Sequence, residues 1–393
     1  MSQSSIVIVN GARTPIGGFQ GSLSTFTAPE LGAHVIAETL KRAGVAPAEI
    51  EEVIMGCVLS AGLKQGPARQ AALKAGLPDS AGCTTVNKLC GSGMKATMFA
   101  YDQIRAGSRQ VVIAGGMESM TNAPYVLPKV RAGLRMGHGA VLDHMFCDGL
   151  EDAETGRLMG SFAQDTADKK GLTRKQMDDF AIASLMRAQE ATSNGAFATE
   201  IAPITIQTAK GSIEVAIDEQ PTKANFEKIP QLKPAFSKEG TITAANSSSI
   251  SDGAAALLLM PESLAVQKGL QPLARILGHS TQSQHPSQFT TAPIGAIQTL
   301  LDKVEWSIDQ VDLWEINEAF AMVTLMPMLE LNIPHEKVNI HGGACALGHP
   351  IGATGARIIL TLIHALKRNN KQRGIAALCI GGGEATAVAV EVI

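Results

Sequence analysis

Aromatic side chains are scarce in this chain, since Phe, Trp and Tyr make up 4% of its 393 residues. The net charge is only −3, which argues against a nucleic-acid-binding protein. No stretch approaches the roughly 20 apolar residues of a membrane span, and the first residues form no basic, apolar leader segment. The six cysteines include no C-x-x-C pair, so neither a zinc ribbon nor a disulfide framework is expected. These absences predict a cytoplasmic protein that binds neither nucleic acid nor a membrane.

Glycine is abundant, with 39 residues, and the hydrophobic fraction of 45% is that of a globular protein. A chain of this length can form two or three domains. In residues 1–120, short apolar runs alternate with helical patterns. Strands are expected at residues 6–9, 53–58 and 111–114, and helices at residues 30–43 and after Cys90. Strands interleaved with helices predict an α/β fold in which helices pack on the faces of a sheet.

Residues 121–246 differ from the preceding part because Met, Gly and Pro are frequent and strand-like runs are few before residue 204. One helix is clear in this region. Thr173 and Gln176 have the spacing of a capping box at its start. Its apolar face comprises Met177, Phe180, Ala181 and Leu185. We interpret the region as an insertion that carries its own helices.

The remainder of the chain repeats the opening pattern. Strands are expected at residues 254–260, 311–316 and 376–380, the last of the chain, and helices at residues 319–331 and 357–366. The sequence Val-Val-Ile-Ala-Gly-Gly-Met-Glu, which ends at residue 118, has an echo in Ala-Ala-Leu-Cys-Ile-Gly-Gly-Gly-Glu, which ends at residue 384. Each follows a glycine-opened helix at a similar distance. We therefore expect an internal duplication.

Cys90 lies where an apolar run breaks at glycines and a helical pattern begins. A thiol in the first turn of a helix is close to unpaired backbone N–H groups and to the positive end of the helix dipole. Both favour the thiolate, which is the nucleophilic form of cysteine. The alternative is a cysteine that is merely buried under the helix. Gly91 and Gly93 would leave the sulfur open to a ligand, but this segment taken alone favours the buried cysteine, and the end of the chain shifts the balance towards a reactive thiol.

His349 and Cys379 have the same kind of surroundings near the end of the chain, because each lies at a glycine-rich break between two elements. Three such breaks predict one shared site. A cysteine with a histidine elsewhere in the sequence is a candidate nucleophile and base pair.

Two local patterns leave alternatives open. The segment from Gly91 to Ala96 matches a relaxed dinucleotide fingerprint, but the acidic residue that such a site needs about 20 positions further on is offset to Glu118. A nicotinamide-dependent oxidoreductase is therefore disfavoured. Asn317, at a strand-to-helix junction, is expected to cap the next helix, to orient a water molecule or a substrate carbonyl, or to do both.

Seven segments together resemble the thiolase family, the acetyl-CoA C-acyltransferases. They are residues 10–17, the Cys90 segment, 115–120, 252–256, 317–321, 342–356 and 379–384. The resemblance implies a duplicated αβαβα layered fold with an inserted loop domain. The implied domains are residues 1–120 with 247–272, the insertion 121–246, and residues 273–393.

The resemblance also implies the roles of the catalytic residues. Cys90 would take the acyl group, His349 would activate it, and Cys379 would move a proton at the α-carbon of the second substrate. One oxyanion hole would consist of His349 and a water molecule held by Asn317. The other would consist of the backbone N–H groups of Cys90 and Gly381, which explains why both cysteines lie at glycine-rich breaks.

The implied reaction is the reversible Claisen condensation of two acetyl-CoA molecules to acetoacetyl-CoA and coenzyme A, with no metal or redox cofactor. The alternative is a broader 3-ketoacyl-CoA thiolase of fatty-acid β-oxidation. The implied assembly is a homodimer or homotetramer. The residues expected to contact coenzyme A or the acyl group are Ser248, Leu150, Met159, Phe236, Ala244, Ala319, Phe320 and Phe289.

This chain departs from the family pattern at several positions. Leu158 replaces a histidine that often contacts pantetheine, and Lys223 is the nearest cation where an arginine is common. Cys345 replaces an aliphatic residue and is expected to serve packing. Phe289 stands where Met is frequent, and its bulk favours a short acyl chain.

Two further classes are weighed against this interpretation. Ketoacyl and hydroxymethylglutaryl-CoA synthases share the fold and the nucleophilic cysteine, but they lack a second cysteine before the glycine run. An inactive CoA or lipid carrier would have lost one of Cys90, His349 or Cys379. All three are present.

Overall fold

The computed structural model describes residues 5–209 and 211–393. Ten of its strands form one mixed sheet, and two small two-stranded sheets lie apart from it. The strands are β1 Ile6–Arg13, β2 Gly17–Gly18, β3 Glu52–Gly56, β4 Gly82–Val86, β5 Val112–Ser119, β6 Tyr125–Val126, β7 Leu142–Asp143, β8 Ile204–Thr208, β9 Gly211–Val215, β10 Ser251–Pro261, β11 Ala274–Ser283, β12 Leu313–Ile316, β13 Arg373–Ile380 and β14 Glu384–Val392.

The α-helices alternate with these strands in both halves of the chain. They are α1 Ala28–Ala43, α2 Pro67–Lys74, α3 Ser92–Arg105, α4 Met159–Lys170, α5 Arg174–Ser193, α6 Glu219–Lys223, α7 Glu262–Gln267, α8 Ala292–Val304, α9 Ala321–Leu331, α10 Ala344–Leu347 and α11 Thr354–Arg368. Within the described ranges, no helix has the length and apolar character to cross a membrane.

The large sheet is built from two equivalent halves that meet at β1 and β11. From β1 outward the order is β10, β5, β3, β4, and from β11 outward it is β14, β13, β12. In each half the two innermost pairings are antiparallel and the outer ones are parallel. A parallel bridge between Trp314 and Val338 takes the position of the missing fifth strand. The predicted duplication is confirmed, since the echoed segments are the equivalent strands β5 and β13.

Helices and sheet halves form five layers. In the central layer α3 and α11 pack on each other, with Met94, Met98, Ile358 and Leu362 in one core that also receives strand side chains from both halves. Helices α1 and α2 cover the outer face of the first half. Helices α8 and α9 lie on the outer side of the second half. The layered α/β fold predicted from the sequence is confirmed.

Two glycines bring the starts of the central helices together. A Cβ at Gly93 would lie 2.9 Å from the carbonyl oxygen of Gly352, and one at Gly355 would collide with the backbone nitrogen of Met94. Larger residues would force α3 and α11 apart. This close approach brings the segment before α3, with Cys90, next to the segment before α11, with His349.

The helix predicted in the inserted region is α5. The Thr173 hydroxyl accepts a hydrogen bond from the backbone of Gln176, whose side chain in turn accepts one from the backbone of Thr173. The predicted apolar face is buried at Met177, Phe180, Ala181 and Leu185. The capping-box prediction is therefore confirmed.

Other predicted elements need correction. The strand predicted at residues 376–380 is not the last of the chain, because β14 follows it after a glycine turn. Strand β11 was not predicted, because its polar residues hide the strand pattern. Three of the nine positions of β14 are alanine, a residue that favours helices rather than strands. Strand β3 ends at Gly56 rather than at residue 58, and α9 begins at Ala321 rather than at 319.

Candidate active site

A cavity of about 390 Å³ brings the three candidate catalytic side chains together. Cys90, His349 and Cys379 all line it, and so does Gly381. The eight residues predicted to contact coenzyme A or the acyl group line the same cavity, namely Leu150, Met159, Phe236, Ala244, Ser248, Phe289, Ala319 and Phe320. The predicted residues thus meet at one place. Asn317 is not among the lining residues but lies two positions before Ala319, which is.

Cys90 lies just before α3, on a turn that its own neighbours hold in place. The Ser92 hydroxyl donates to the carbonyl of Leu89 at 2.6 Å and accepts from the backbone N–H of Lys88 at 2.9 Å. Lys88 also pairs with Glu384 at the start of β14. The segment that carries Cys90 is therefore fixed to the second half of the sheet, where Cys379 lies.

The Cys90 sulfur is neutral in the free protein at neutral pH. Burial raises the pKa of its thiol to about 11, although backbone N–H groups of Gly381 and of Cys90 itself point at the sulfur and act in the opposite direction. The expectation of a thiolate in the first turn of a helix is wrong. The helix begins only at Ser92, and loss of hydration destabilises the charged form more than the N–H groups stabilise it.

His349 is held in one tautomer. Its Nδ1 lies 2.7 Å from the Thr354 hydroxyl, which donates its own proton to the carbonyl of Pro350 at 3.0 Å. Nδ1 must therefore carry the hydrogen and donate, which leaves a lone pair on Nε2. Burial, with a smaller contribution from Arg357, lowers the pKa of His349 to about 3. The imidazole is neutral, and Nε2 has no partner among the described residues.

Cys379 is the penultimate residue of β13 and is buried. Burial raises the pKa of its thiol well above the usual range, and the nearby Cys90 raises it further. The turn to β14 has positive φ values at Gly382 and Gly383. A Cβ at Gly383 would collide with the carbonyl of Gln284. Glycine is thus required for the turn that places the N–H of Gly381 at the Cys90 sulfur.

Asn317 follows β12 and does not cap a helix. The residue before α9 is Phe320, so the capping interpretation is wrong. Its backbone N–H donates to the carbonyl of Ala377 at 2.9 Å, which fixes its position beside β13. Both polar atoms of its side chain are buried without a partner among the described residues. A buried amide in this state is typical of a site that holds a water molecule.

The adjacent Glu318 supports this region and was missed at the sequence level. Its carboxylate accepts hydrogen bonds from Ser184 at 2.7 Å, Asn339 at 2.8 Å and the backbone of Cys345 at 3.0 Å. The thiol of Cys345 lies 3.6 Å from the Glu318 carbonyl. This geometry agrees with the packing role expected of Cys345. Glu318 lies in the segment 317–321 that carries the resemblance, but its role depends on partners that only the fold brings together.

The positions at which this chain departs from the family pattern lie in different places. Leu158 lines the catalytic cavity, and Phe289 packs edge-to-face on Phe320 with ring centres 6.4 Å apart. Lys223 forms an ion pair with Glu219.

A second cavity, of about 240 Å³, shares Ala244 and Ser249 with the first. Lys228 lines this outer cavity, and it was not singled out from the sequence.

The fold and these groups define an enzyme of the acyltransferase class, with two thiols and a bare imidazole nitrogen in one cavity. The chain belongs to the thiolase family. Residues 6–263 match the model of the thiolase N-terminal domain, and residues 270–392 match that of the thiolase C-terminal domain.

Relatives agree over essentially the whole chain. A probable acetyl-CoA acetyltransferase of Dictyostelium discoideum is 48% identical over 98% of this chain and 94% of its own length. The acetyl-CoA acetyltransferase of Bacillus anthracis has a TM-score of 0.97 and 43% identity, covering 100% of this chain and 99% of that one. The Acat5 thiolase of Ascaris suum, solved with coenzyme A, has a TM-score of 0.94 and 40% identity, with coverage of 99% and 100%.

Proposed function

We propose that this protein is an acetyl-CoA C-acetyltransferase, which condenses two acetyl-CoA molecules reversibly to acetoacetyl-CoA and coenzyme A. The observation that carries the proposal is the convergence of Cys90, Cys379 and the bare Nε2 of His349 on one cavity. Relatives named for this activity match the full chain and support it.

In the first half-reaction, Nε2 of His349 accepts the Cys90 thiol proton as the sulfur attacks the thioester carbonyl. A neutral base is needed because the thiol is protonated at neutral pH. The N–H groups of Cys90 and Gly381 stabilise the negative oxygen that forms. The C–S bond to coenzyme A breaks, and Cys379 protonates the departing thiolate. The products are acetyl-Cys90, an imidazolium and a Cys379 thiolate.

In the second half-reaction, the Cys379 thiolate removes a proton from the α-carbon of another acetyl-CoA. Its raised pKa makes it a stronger base toward this weak carbon acid. His349 and a water molecule on Asn317 stabilise the enolate oxygen. The carbanion attacks acetyl-Cys90, the Cys90 sulfur leaves, and the imidazolium returns its proton to that sulfur. Protons and charges balance over the cycle, and ping-pong kinetics follow.

Coenzyme A fits the pair of cavities in one direction. The apolar cavity with Ser248, Met159 and Phe236 takes the thioester end and pantetheine. The outer cavity with Lys228 takes the anionic end of the molecule. Lys223 is less suited to this contact, because its ammonium group already forms an ion pair with Glu219.

Phe289 limits the acyl group in this proposal. Its ring is buried against Phe320 at the cavity wall, so the space beyond the thioester is short. One observation favours the broader 3-ketoacyl-CoA thiolase as the second candidate. A further cavity of about 450 Å³ shares Gly149, Met159 and Gly381 with the catalytic cavity and could receive a longer chain.

A thiolysis series with 3-ketoacyl-CoA substrates of increasing chain length tests the proposal. We expect acetoacetyl-CoA to be cleaved fastest and longer chains at least tenfold more slowly. Phe289→Ala should raise the relative rate for longer chains, whereas Phe226→Ala, at an exposed position, is the matched control. Comparable wild-type rates for all lengths would refute acetyl specificity and favour the second candidate. No thiolysis of any substrate would refute the function itself.

The proposal also covers the compartment and the oligomeric state of the enzyme. We expect a cytoplasmic protein that forms a homodimer or homotetramer, and sedimentation equilibrium of the full chain decides between these two assemblies.

A further inference from the structure

Glu118 is a buried carboxylate for which the proposed reaction has no use. It lies near the end of β5 and is fully buried. The largest influences on its pKa are burial and hydrogen bonds, and none of them comes from a Lys or Arg. A buried carboxylate without a cation is costly unless hydrogen bonds stabilise its charge. Its retention at this position therefore requires an explanation.

Backbone N–H groups from two separate segments supply those hydrogen bonds. Oε2 accepts from Val58 at 3.0 Å and from Gly352 at 2.9 Å, and Oε1 accepts from Leu59 at 3.1 Å. The thiol of Cys57 lies 3.8 Å from Oε1. Each carboxylate oxygen thus faces two donors. One side chain connects the exit of β3 to the segment just before α11.

The segment before α11 lines the catalytic cavity at His349 and Ile351, and the segment after β3 packs against it. Gly352 lies between His349 and Thr354, the two residues whose hydrogen bond fixes the imidazole. Val58 and Leu59 pack with Ile351 in a cluster that also contacts Cys90. A Cβ at Gly352 would lie 2.6 Å from Oε2 of Glu118, so glycine is needed for this contact. A shift of the carboxylate would consequently move the histidine segment relative to the nucleophile.

The contact requires the ionised carboxylate. A carboxylate only accepts hydrogen bonds, and all its neighbours in this site donate. A proton on either oxygen would point at a donor, and so would the amide group of a glutamine. Burial raises the pKa of Glu118 to about 7, against the effect of its three backbone hydrogen bonds. The Glu118 carboxyl therefore loses its proton within the pH range in which enzymes are assayed.

The groups around Glu118 do not replace it as the titrating residue. Its charge raises the pKa of the thiols of Cys57 and Cys90. Asp252 of β10 lies next to Gly253, the cross-strand partner of Glu118, and its carboxylate accepts from the backbone of Thr121. The pKa of His349 is about 3. A transition near pH 7 that disappears in Glu118→Gln is therefore the signature of Glu118.

We propose that Glu118 is a positioning residue, whose ionised carboxylate holds the segment from His349 to Gly352 against the segment from Cys57 to Leu59. The inference rests on the proposed acyl-transfer function. Glu118 acts through His349 and Cys90, which it orients without touching the substrate. A misplacement of about 1 Å in such a pair can cost on the order of 100-fold in rate.

The test compares Glu118→Gln, Glu118→Asp and the matched control Glu52→Gln, another buried carboxylate, at the start of β3. The kcat and KM for acetoacetyl-CoA thiolysis are measured from pH 5.5 to 9. We expect wild-type kcat to fall as pH decreases through about 7. Glu118→Gln should lower kcat at pH 8 by about 10- to 100-fold with little change in KM, and should abolish this transition. Glu118→Asp should keep the transition at a reduced rate, and Glu52→Gln should behave as wild type.

Three results would overturn the inference. One is a folded Glu118→Gln protein with wild-type kcat and pH profile, and another is a lower melting temperature with unchanged kcat per folded molecule. The third is a wild-type profile that is flat between pH 6 and 8, which decides the matter even if the variant fails to fold. Cys90 alkylation by iodoacetamide separates this inference from the proposed function. Loss of the Glu118 charge should move the alkylation profile to lower pH, and an unchanged profile would refute the inference whether or not thiolysis occurs.

Discussion

His349 Nδ1 lies 2.7 Å from the Thr354 hydroxyl, and that hydroxyl already donates its proton to the carbonyl of Pro350. The geometry leaves Nδ1 one role, that of donor, and leaves Nε2 with the lone pair that a general base needs. Two hydrogen bonds of the Thr354 hydroxyl, at the start of α11, therefore decide the chemistry of the cavity.

Thr354→Val keeps the shape of the side chain and removes the acceptor for Nδ1. We expect kcat for thiolysis to fall about tenfold or more, because a net hydrogen bond of about 1 to 1.5 kcal/mol no longer favours the productive tautomer. Thr354→Ser retains the hydroxyl and should retain most of the activity. Steady-state kinetics of both variants check this, and wild-type kcat in Thr354→Val would show that the hydroxyl has no part in the reaction.

Cys90 should react slowly with alkylating agents at neutral pH. Burial raises the pKa of its thiol to about 11, so that the thiolate fraction keeps growing as pH increases through 9 and 10. The rate of carbamidomethylation with iodoacetamide should rise over this range without a plateau. Peptide mass spectrometry must assign the modified residue, since Cys147 is exposed. A plateau of the alkylation rate below pH 8 would indicate a preformed thiolate and contradict a neutral Cys90 thiol beside a neutral His349.

Removal of divalent metal should leave the reaction intact. The proposed chemistry uses two backbone N–H groups, an imidazole and two thiols, which supply the base, the nucleophile and the oxyanion contacts. Thiolysis rates before and after dialysis against EDTA are expected to agree. A loss of activity that a divalent cation restores would show that a metal takes part.

Glu219 should contribute stability that is lost in acid. Partial burial raises its pKa, but hydrogen bonds from Lys223 and from the backbone of Ser22 and Gly18 outweigh burial and hold the pKa at about 2. The native state therefore binds fewer protons than the unfolded chain. The contribution is fully present above the unfolded pKa of about 4.3 and disappears as pH falls toward 2.

Urea unfolding at pH 7 and pH 3 measures this contribution. Glu219→Gln should lower the free energy of unfolding at pH 7 by about 1 to 2 kcal/mol, after allowance for screening of the exposed Lys223, and the difference from wild type should shrink at pH 3. The exposed Glu214→Gln is the control. An equal deficit at both pH values would show that packing, rather than charge, explains the loss.

Much of this architecture could be predicted from the sequence. The alternation of strands and helices indicated the α/β fold, and the echo between residues 111–118 and 376–384 indicated the duplication that β5 and β13 now display. The glycine-marked breaks identified Cys90, His349 and Cys379 because a site that admits a ligand at the backbone needs small residues there.

The remainder depends on contacts distant in sequence. The raised pKa of the Cys90 thiol follows from its surroundings in the folded chain, where the residue is half-buried against two apolar clusters. A local helix-start pattern does not reveal these contacts. Asn317 was open to a capping role until the start of α9 was known. The hydrogen bond from the backbone of Gly352 to Glu118 joins residues far apart in the chain, and no local pattern anticipates it.

The most direct measurement is the mass of the intact enzyme after brief mixing with acetyl-CoA and acid quenching. We expect the wild-type protein to gain one acetyl group, which peptide mapping should locate at Cys90. The control Cys83→Ser changes a cysteine outside the cavity and should gain the acetyl group too. Cys90→Ser should gain none. An acetyl group on another residue of the wild type, or persistent labelling of Cys90→Ser, would contradict the assignment of Cys90 as the nucleophile.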